Sequence, residues 1–141
     1  MNKQADPRRV ARLVSRAQKA LEEELDARLA PFDITAAQYV VLSALHGGRA
    51  NIAAQICKEL SYSPGAMTRM LNRLEQKGMI QKGPSAANRR TVQLELTEEG
   101  RRLFPSLLEA SGTVIEQYFG TFSAQELHAL EALLLKMFAG K

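Results

Sequence analysis

The sequence predicts a mostly α chain with a small β-wing, a winged helix-turn-helix with terminal dimerisation helices. Three observations predict it. Residues 60 to 100 run in the order turn, helix, stop, strand, basic tip, strand and helix start. Outside that stretch, apolar residues recur at the three- and four-residue spacing of helices. The stripes at the two ends are also broader than a small head can cover. With 141 residues, 45% of them hydrophobic, the chain amounts to a single domain able to bury a real core. Residues 7–30 and 101–139 are the expected dimerisation helices, and 35–100 the winged helix-turn-helix region.

Each element has its own justification. Asp6-Pro7 can start a first helix, in which Val10, Leu13, Val14, Ala17, Leu21, Leu25 and Leu29 form an apolar stripe before Pro31 ends it. Thr35 is placed to cap a second helix, with Tyr39, Leu42 and Leu45 inward and Gly47-Gly48 at its end. Ile52 to Leu60 reads as a short third helix, followed by the turn Ser61-Tyr62. Ser63 can accept a bond from an orphan N–H as N-cap, and Pro64 suits the first helical position, where no N–H is needed. Met67, Met70, Leu71 and Leu74 then face inward, Lys77 suits the negative end of the helix dipole, and Gly78 stops the helix. Met79–Lys82 and Thr91–Leu96 have strand character, the second alternating Val92, Leu94 and Leu96 with polar residues. Gly83 to Asn88 between them is turn-rich. Thr97 can cap a fifth helix, with Glu98 and Glu99 in its first turn. Leu103, Leu107, Val114, Ile115, Tyr118 and Phe119 line one side of it, and Pro105 predicts a kink near Arg101–Arg102. Gly120 and Ser123 separate it from a last helix bearing Leu127, Leu130, Leu133, Leu134, Met137 and Phe138.

The outward face of the fourth helix suggests a partner. Gly65, Thr68, Arg69, Asn72, Arg73 and Gln76 lie opposite its apolar stripe, beside Ser63 at the start. Such side chains can bond to bases or phosphates, and Arg is the commonest bidentate reader of guanine. A polar face alone also fits an ordinary solvated helix. The wing and the charge distribution shift the balance. Arg89 and Arg90 stand at the tip of a short ribbon, where an Arg can enter a narrow minor groove. Between Lys58 and Arg90 the chain carries seven Lys/Arg and two Asp/Glu, a net of +5, while the whole chain is only +4. The basic excess therefore lies in the proposed reading head, as double-stranded DNA requires. A two-fold homodimer would present two such heads to a pseudo-palindromic operator.

The stretch Ser63-Pro-Gly-Ala-Met-Thr-Arg-Met-Leu-Asn-Arg-Leu-Glu-Gln-Lys-Gly78 resembles the recognition helix of the MarR family of bacterial transcription regulators. Asn88-Arg89-Arg90 followed by Leu96-Thr97-x-x-Gly100 is similar to that family's wing signature, and Asp33-Ile34-Thr35-x-x-Gln38-Tyr39-x-x-Leu42 to its second helix. The resemblance implies a dimer, and it aligns Arg90 with the groove-entering Arg. It also implies a cleft between dimer helices and reading head that takes small aromatic acids and phenols. Arg16, Tyr39 and His46 are the candidates to line it, although they also read as a solvated charge, a core aromatic and a helix-end cap. One departure stands out. The family usually has Asp where Asn88 stands, so the ion pair expected to hold a wing Arg is replaced by a hydrogen-bond acceptor, and the wing is expected to be looser and more positive.

Other chemistry is poorly supported. His46 and His128 have no Cys/His partner at metal spacing, so no metal site is expected. Glu22-Glu23-Glu24 and Glu98-Glu99 occupy successive helix positions that point different ways, which makes no acid/base pair. With no nucleophile elbow and no phosphate-binding Gly loop, neither catalytic residues nor a cofactor are expected. No apolar run reaches the length of a membrane span, the N-terminus lacks a signal-peptide h-region, and a single cysteine excludes an internal disulfide. A cytoplasmic protein, bacterial by resemblance and nucleoid-associated when on DNA, is the expectation. Lone Cys57 reads as a small hydrophobe. The sequence thus describes a dimeric repressor released by an aromatic or phenolic effector. The rivals are an effector-independent or cysteine-redox-gated regulator, and a protein-interaction module.

Overall fold

In the computed structural model, which describes residues 4–48, 51–84 and 92–141, the elements follow the order α1 (Pro7–Leu29), a 3-10 turn (Ala30–Phe32), α2 (Ala36–His46), α3 (Ala53–Leu60), α4 (Pro64–Gln76), β1 (Ile80–Pro84), β2 (Val92–Leu96), α5 (Glu98–Phe119) and α6 (Ala124–Met137). The caps sit where hydroxyl and carboxylate side chains lead a helical pattern. Asp6 accepts from the N–H of Arg8, Ser63 from Ala66, and Thr97 from Gly100. Thr35 and Ser123 each close a full capping box, with Gln38 and Glu126 reaching back. Each bond satisfies a donor that the first helical turn would otherwise leave orphaned.

The core gathers in the head. Leu29 at the end of α1, Val41 and Leu42 of α2, Ile56 of α3, Met67, Leu71 and Leu74 of α4, Ile80 and Leu94 of the ribbon, and Phe104 and Leu107 of α5 form one buried cluster. Met70, expected inward with the others, is only half-buried at its edge. The two strands pair antiparallel, Ile80 opposite Leu96 and Lys82 opposite Leu94. Leu94 and Leu96 are buried while Gln93 and Glu95 face out, as period-two alternation requires.

Three details depart from the sequence expectations. Gly83 and Pro84 are not turn residues but the end of β1, opposite Gln93 and Val92. A two-stranded ribbon is all edge, so the missing N–H of a proline is tolerated there. Ile52 does not begin α3 but makes an isolated bridge to Gln93, while Leu94 N–H donates to the Asn51 carbonyl at 2.7 Å. This short third segment seals the other edge of β2. Finally, Ile115 is 46% exposed, whereas Leu107 and Val114, expected on the same side of the helix, are buried. At Pro105, α5 continues as one helix from Glu98 to Phe119, with no N–H there to serve the Arg101 carbonyl.

The termini differ from the head. Along α1 only Leu29 is buried, and Val10 and Leu13 are about half exposed. No residue of α6 is buried; Leu133, Leu135 and Phe138 are more than 60% exposed. No described helix is long and apolar enough to cross a membrane.

Candidate nucleic-acid interface

The turn between α3 and α4 sets the angle of the reading helix. Ser61 takes a left-handed conformation (φ 58°), and Tyr62 N–H donates back to the Cys57 carbonyl at 3.2 Å, which stops α3 and turns the chain. Ser63 and Pro64 then start α4. Its inward side buries Met67, Leu71 and Leu74. Gly65, Thr68, Arg69, Asn72, Arg73 and Gln76 are all exposed, so the face expected to read DNA is brought together as one solvent-facing strip, with Ser63 at its head.

Two of those side chains are already engaged. The Thr68 hydroxyl donates to the Pro64 carbonyl at 2.9 Å, so its methyl and a lone pair remain for a partner. The Asn72 carbonyl oxygen accepts from the Lys82 ammonium on β1, and Lys82 also pairs with Glu75 at 3.7 Å. Lys82 thus ties the wing root to the reading helix and leaves Asn72 its amide donor. Sequence spacing could not reveal this, because the partners sit on different elements. Arg69 and Arg73 line a cleft of about 230 Å³ with Thr35, Gln38, Ala66 and Met70. Arg89, Arg90 and Asn88 lie outside the described residues.

The base of the wing explains the Leu-Thr-x-x-Gly pattern. Thr97 N–H donates to the Met79 carbonyl at 3.0 Å, and its hydroxyl bonds to the carbonyl of Gly78 while accepting from Gly100 N–H. One residue therefore fastens the end of α4, the root of β1 and the start of α5. Gly78 holds φ 76° and closes α4. Gly100 is buried against β1, and a Cβ there would lie 2.3 Å from the Met79 carbonyl oxygen.

The candidate effector residues are only partly assembled. Tyr39 and His46, on α2, both stack on Phe104 of α5, with ring centroids 6.1 Å and 4.0 Å away. The Tyr39 hydroxyl accepts from buried Ser111 at 2.8 Å. Phe104 was not among the candidates, although it is what joins the two rings. Arg16 is exposed on α1, with no described hydrogen bond or ion pair to either. His46 also borders a depression of about 470 Å³ with Asn51, Glu95 and Arg101. Cys57 is half-buried against the core, at the edge of a second depression beside Lys58, Tyr62 and Thr68. Among the described residues, no group of three or more His, Cys, Asp and Glu side chains could hold a metal ion.

A helix-turn-helix with an antiparallel wing and an exposed basic reading face defines the class of winged helix-turn-helix regulators. Residues 34–92 match the MarR family model. Over 129 residues the chain is 32% identical to the multiple antibiotic resistance protein MarR of Escherichia coli K12, covering 91% of this chain and 90% of that protein. An uncharacterized HTH-type transcriptional regulator of Bacillus subtilis, YwhA, is 29% identical over 115 residues, 82% of this chain and 83% of that one. Among solved structures, a mutant MarR from E. coli complexed with operator DNA aligns with a TM-score of 0.79 at 31% identity, covering 91% of this chain and 92% of that one. A MarR-family regulator from Rhodococcus reaches 0.82 over 99% of both chains at 18% identity, a likeness of fold. The chain belongs to the MarR family of transcriptional regulators. Further relatives are named as HTH-type transcriptional regulators or repressors.

Proposed function

We propose that two copies of this chain form a repressor that binds double-stranded DNA at a pseudo-palindromic operator and releases it when a small aromatic acid or phenol binds. The observation that carries this reading is the α4 face, where every polar candidate is exposed while the opposite side is core. Ser63 and Gly65 lie at the N-terminal end of α4, where the positive end of the helix dipole suits a phosphate. Thr68, Arg69, Asn72 and Arg73 face base edges in the major groove, and Arg89 and Arg90 serve the flanking minor groove. Residues 35–100 are the DNA-binding region. Residues 7–30 and 101–139 join the two subunits, a role supported by the exposed apolar side chains of α1, α5 and α6. The setting is the bacterial cytoplasm, with the dimer on the nucleoid when bound.

Replacing Arg69 or Arg73 with Ala tests the reading face. Binding of a specific operator should weaken by about 1–3 kcal/mol, and that of random DNA much less, if the side chain reads a base. Titrations on both DNAs across a salt series check this. Equal losses on the two would reduce these residues to phosphate contacts, and salt-independent binding would favour the protein-interaction rival.

The effector would act through head spacing, because two recognition helices must fit half-sites one DNA turn apart, about 34–36 Å. Tyr39 and His46, gathered on Phe104, offer a surface for an aromatic ring, and Arg16 a charge for a carboxylate. Coupling of about 1–3 kcal/mol is expected, and operator must weaken ligand by the same amount. Calorimetry with salicylate-like acids and phenols, with and without operator, measures both directions. A broad panel that neither binds nor shifts operator affinity would leave an effector-independent regulator.

A further inference from the structure

Lys77 is the C-cap of the reading helix, and its ammonium bonds to Asp33 and Gln38 rather than to the α4 strip. It donates to the Asp33 carbonyl, donates to Gln38 Oε1 at 3.0 Å, and pairs with the Asp33 carboxylate at 3.7 Å. Gln38 is only 5% exposed, and the same oxygen accepts from Thr35 N–H at 3.1 Å. Asp33 holds a left-handed turn at φ 58°. One residue after Thr35, the Ala36 N–H donates to the Asp26 carboxylate of α1 at 2.7 Å. The short segment 33–36 is therefore held from three sides: by α1 through Asp26, by α2 through Gln38, and by the end of α4 through Lys77.

We infer that this joint is a positioning device: Lys77, seated on Gln38, fixes the angle of the reading helix relative to α1 and thus the separation of the two heads. The inference rests on the DNA-reading dimer proposed above and deepens it. Its physical basis is the difference between the two ends of α4. The N-terminal end is set by the tight turn from α3. The C-terminal end carries Lys77, with its side chain 27% exposed and its donors directed at α2. The exposed ion pair to Asp33 adds little by itself. The charged hydrogen bond to a buried amide matters more, because a bond from an ammonium is stronger than a neutral one; without it the Gln38 oxygen keeps only the bond from Thr35 N–H. Since α1 belongs to the proposed subunit interface, a head fixed to α1 is also fixed relative to its twin. Lys77 thus counts towards the basic charge of the head without being one of its phosphate contacts.

The test uses the full-length protein. A duplex is selected from random-sequence DNA by the wild type, and versions are made with one base pair added or removed between half-sites. Lys77→Ala should bind the selected duplex roughly tenfold more weakly, because it removes the bonds to Gln38 and Asp33 together. It should also discriminate less against altered spacing while keeping the wild-type salt slope. In the free protein, a nitroxide at Gln76→Cys in a Cys57→Ser background should report a broader distribution of head-to-head distances by pulsed electron resonance. Gln38→Leu should behave alike, and the double variant no worse than either single one. Gln38→Glu keeps the acceptor and should keep the narrow distribution. Melting at fixed protein concentration verifies folding; Lys77→Met, which retains the packed stem, serves if the alanine variant does not fold. A salt slope reduced by about one, with spacing discrimination and distance width unchanged, would make Lys77 a phosphate contact and overturn the inference. If the wild type selects no duplex but the distance effects appear, the DNA reading fails and the joint stands.

Discussion

Removing residues 125–141 is expected to abolish the dimer and operator binding with it. The deleted segment includes Leu127, Leu133, Leu134, Leu135, Met137 and Phe138, each at least 38% exposed in the single chain. No residue of α6 contributes to the core, so its loss should leave the head folded. So many large apolar side chains exposed within one short segment of a single subunit point to an interface. Each monomer would then grip one half-site alone. Losing the second, tethered grip costs on the order of 10²- to 10⁴-fold in affinity without the loss of any DNA contact. Light scattering and operator titration read the two halves separately. A stable dimer after the deletion would remove α6 from the interface, and a monomer with undiminished affinity would remove the need for two heads.

Much of the fold could be read from local chemistry. Helix starts could be placed at Asp6, Thr35, Ser63 and Thr97 because hydroxyl or carboxylate side chains before an apolar stripe satisfy orphan donors, a rule that depends only on neighbours in sequence; Ser123, read only as a separator, caps α6 by the same rule. The alternation at Leu94 and Leu96 likewise follows from period two. What escaped was set by residues far apart. The Asn51–Ile52 segment joins β2 only because the fold brings it there, and nothing in Ile52 distinguishes a bridge from a helix start. Gly83 and Pro84 read as a turn because their propensities are those of turns, yet an edge ribbon accepts both.

The site shows the same division. The polar strip of α4 could be placed because an inward stripe fixes the outward side; the strip is exposed, while Met70 of the stripe is only half-buried. That Asn72 is bonded to Lys82, Lys77 to Gln38, and Tyr39 and His46 to a shared Phe104 was not legible. These are contacts between elements, at sequence separations for which no spacing rule exists. Arg16 shows the limit from the other side: residue type nominated it, and no described bond or ion pair draws it towards Tyr39 or His46.

Gly100→Ala should lower stability markedly, although it adds only a methyl group. The position is helical and would ordinarily gain from alanine by about 0.5–1 kcal/mol. Here the added Cβ would meet the Met79 carbonyl oxygen at 2.3 Å and the carbonyl carbon at 3.2 Å, and both are backbone atoms that no rotamer can move. Relief requires the start of α5 to separate from the root of β1. That movement would break the bonds from Thr97 to Met79 and Gly78, because both depend on the same approach. Overpacking of this kind costs about 1–3 kcal/mol, and more where hydrogen bonds are lost with it. At roughly 2–4 °C per kcal/mol, the Tm should fall by several degrees when measured at fixed protein concentration. Gly65→Ala is the internal contrast, since its Cβ would meet only the flexible end of Arg69 at 3.6 Å, and the Tm should barely change. Because the strained junction joins α4, wing and α5, operator affinity of the surviving folded Gly100→Ala protein should fall too, through a displaced wing. A variant with wild-type Tm would mean that α5 and β1 can part without cost, and Thr97 would lose its place as the fastening between reading helix and wing.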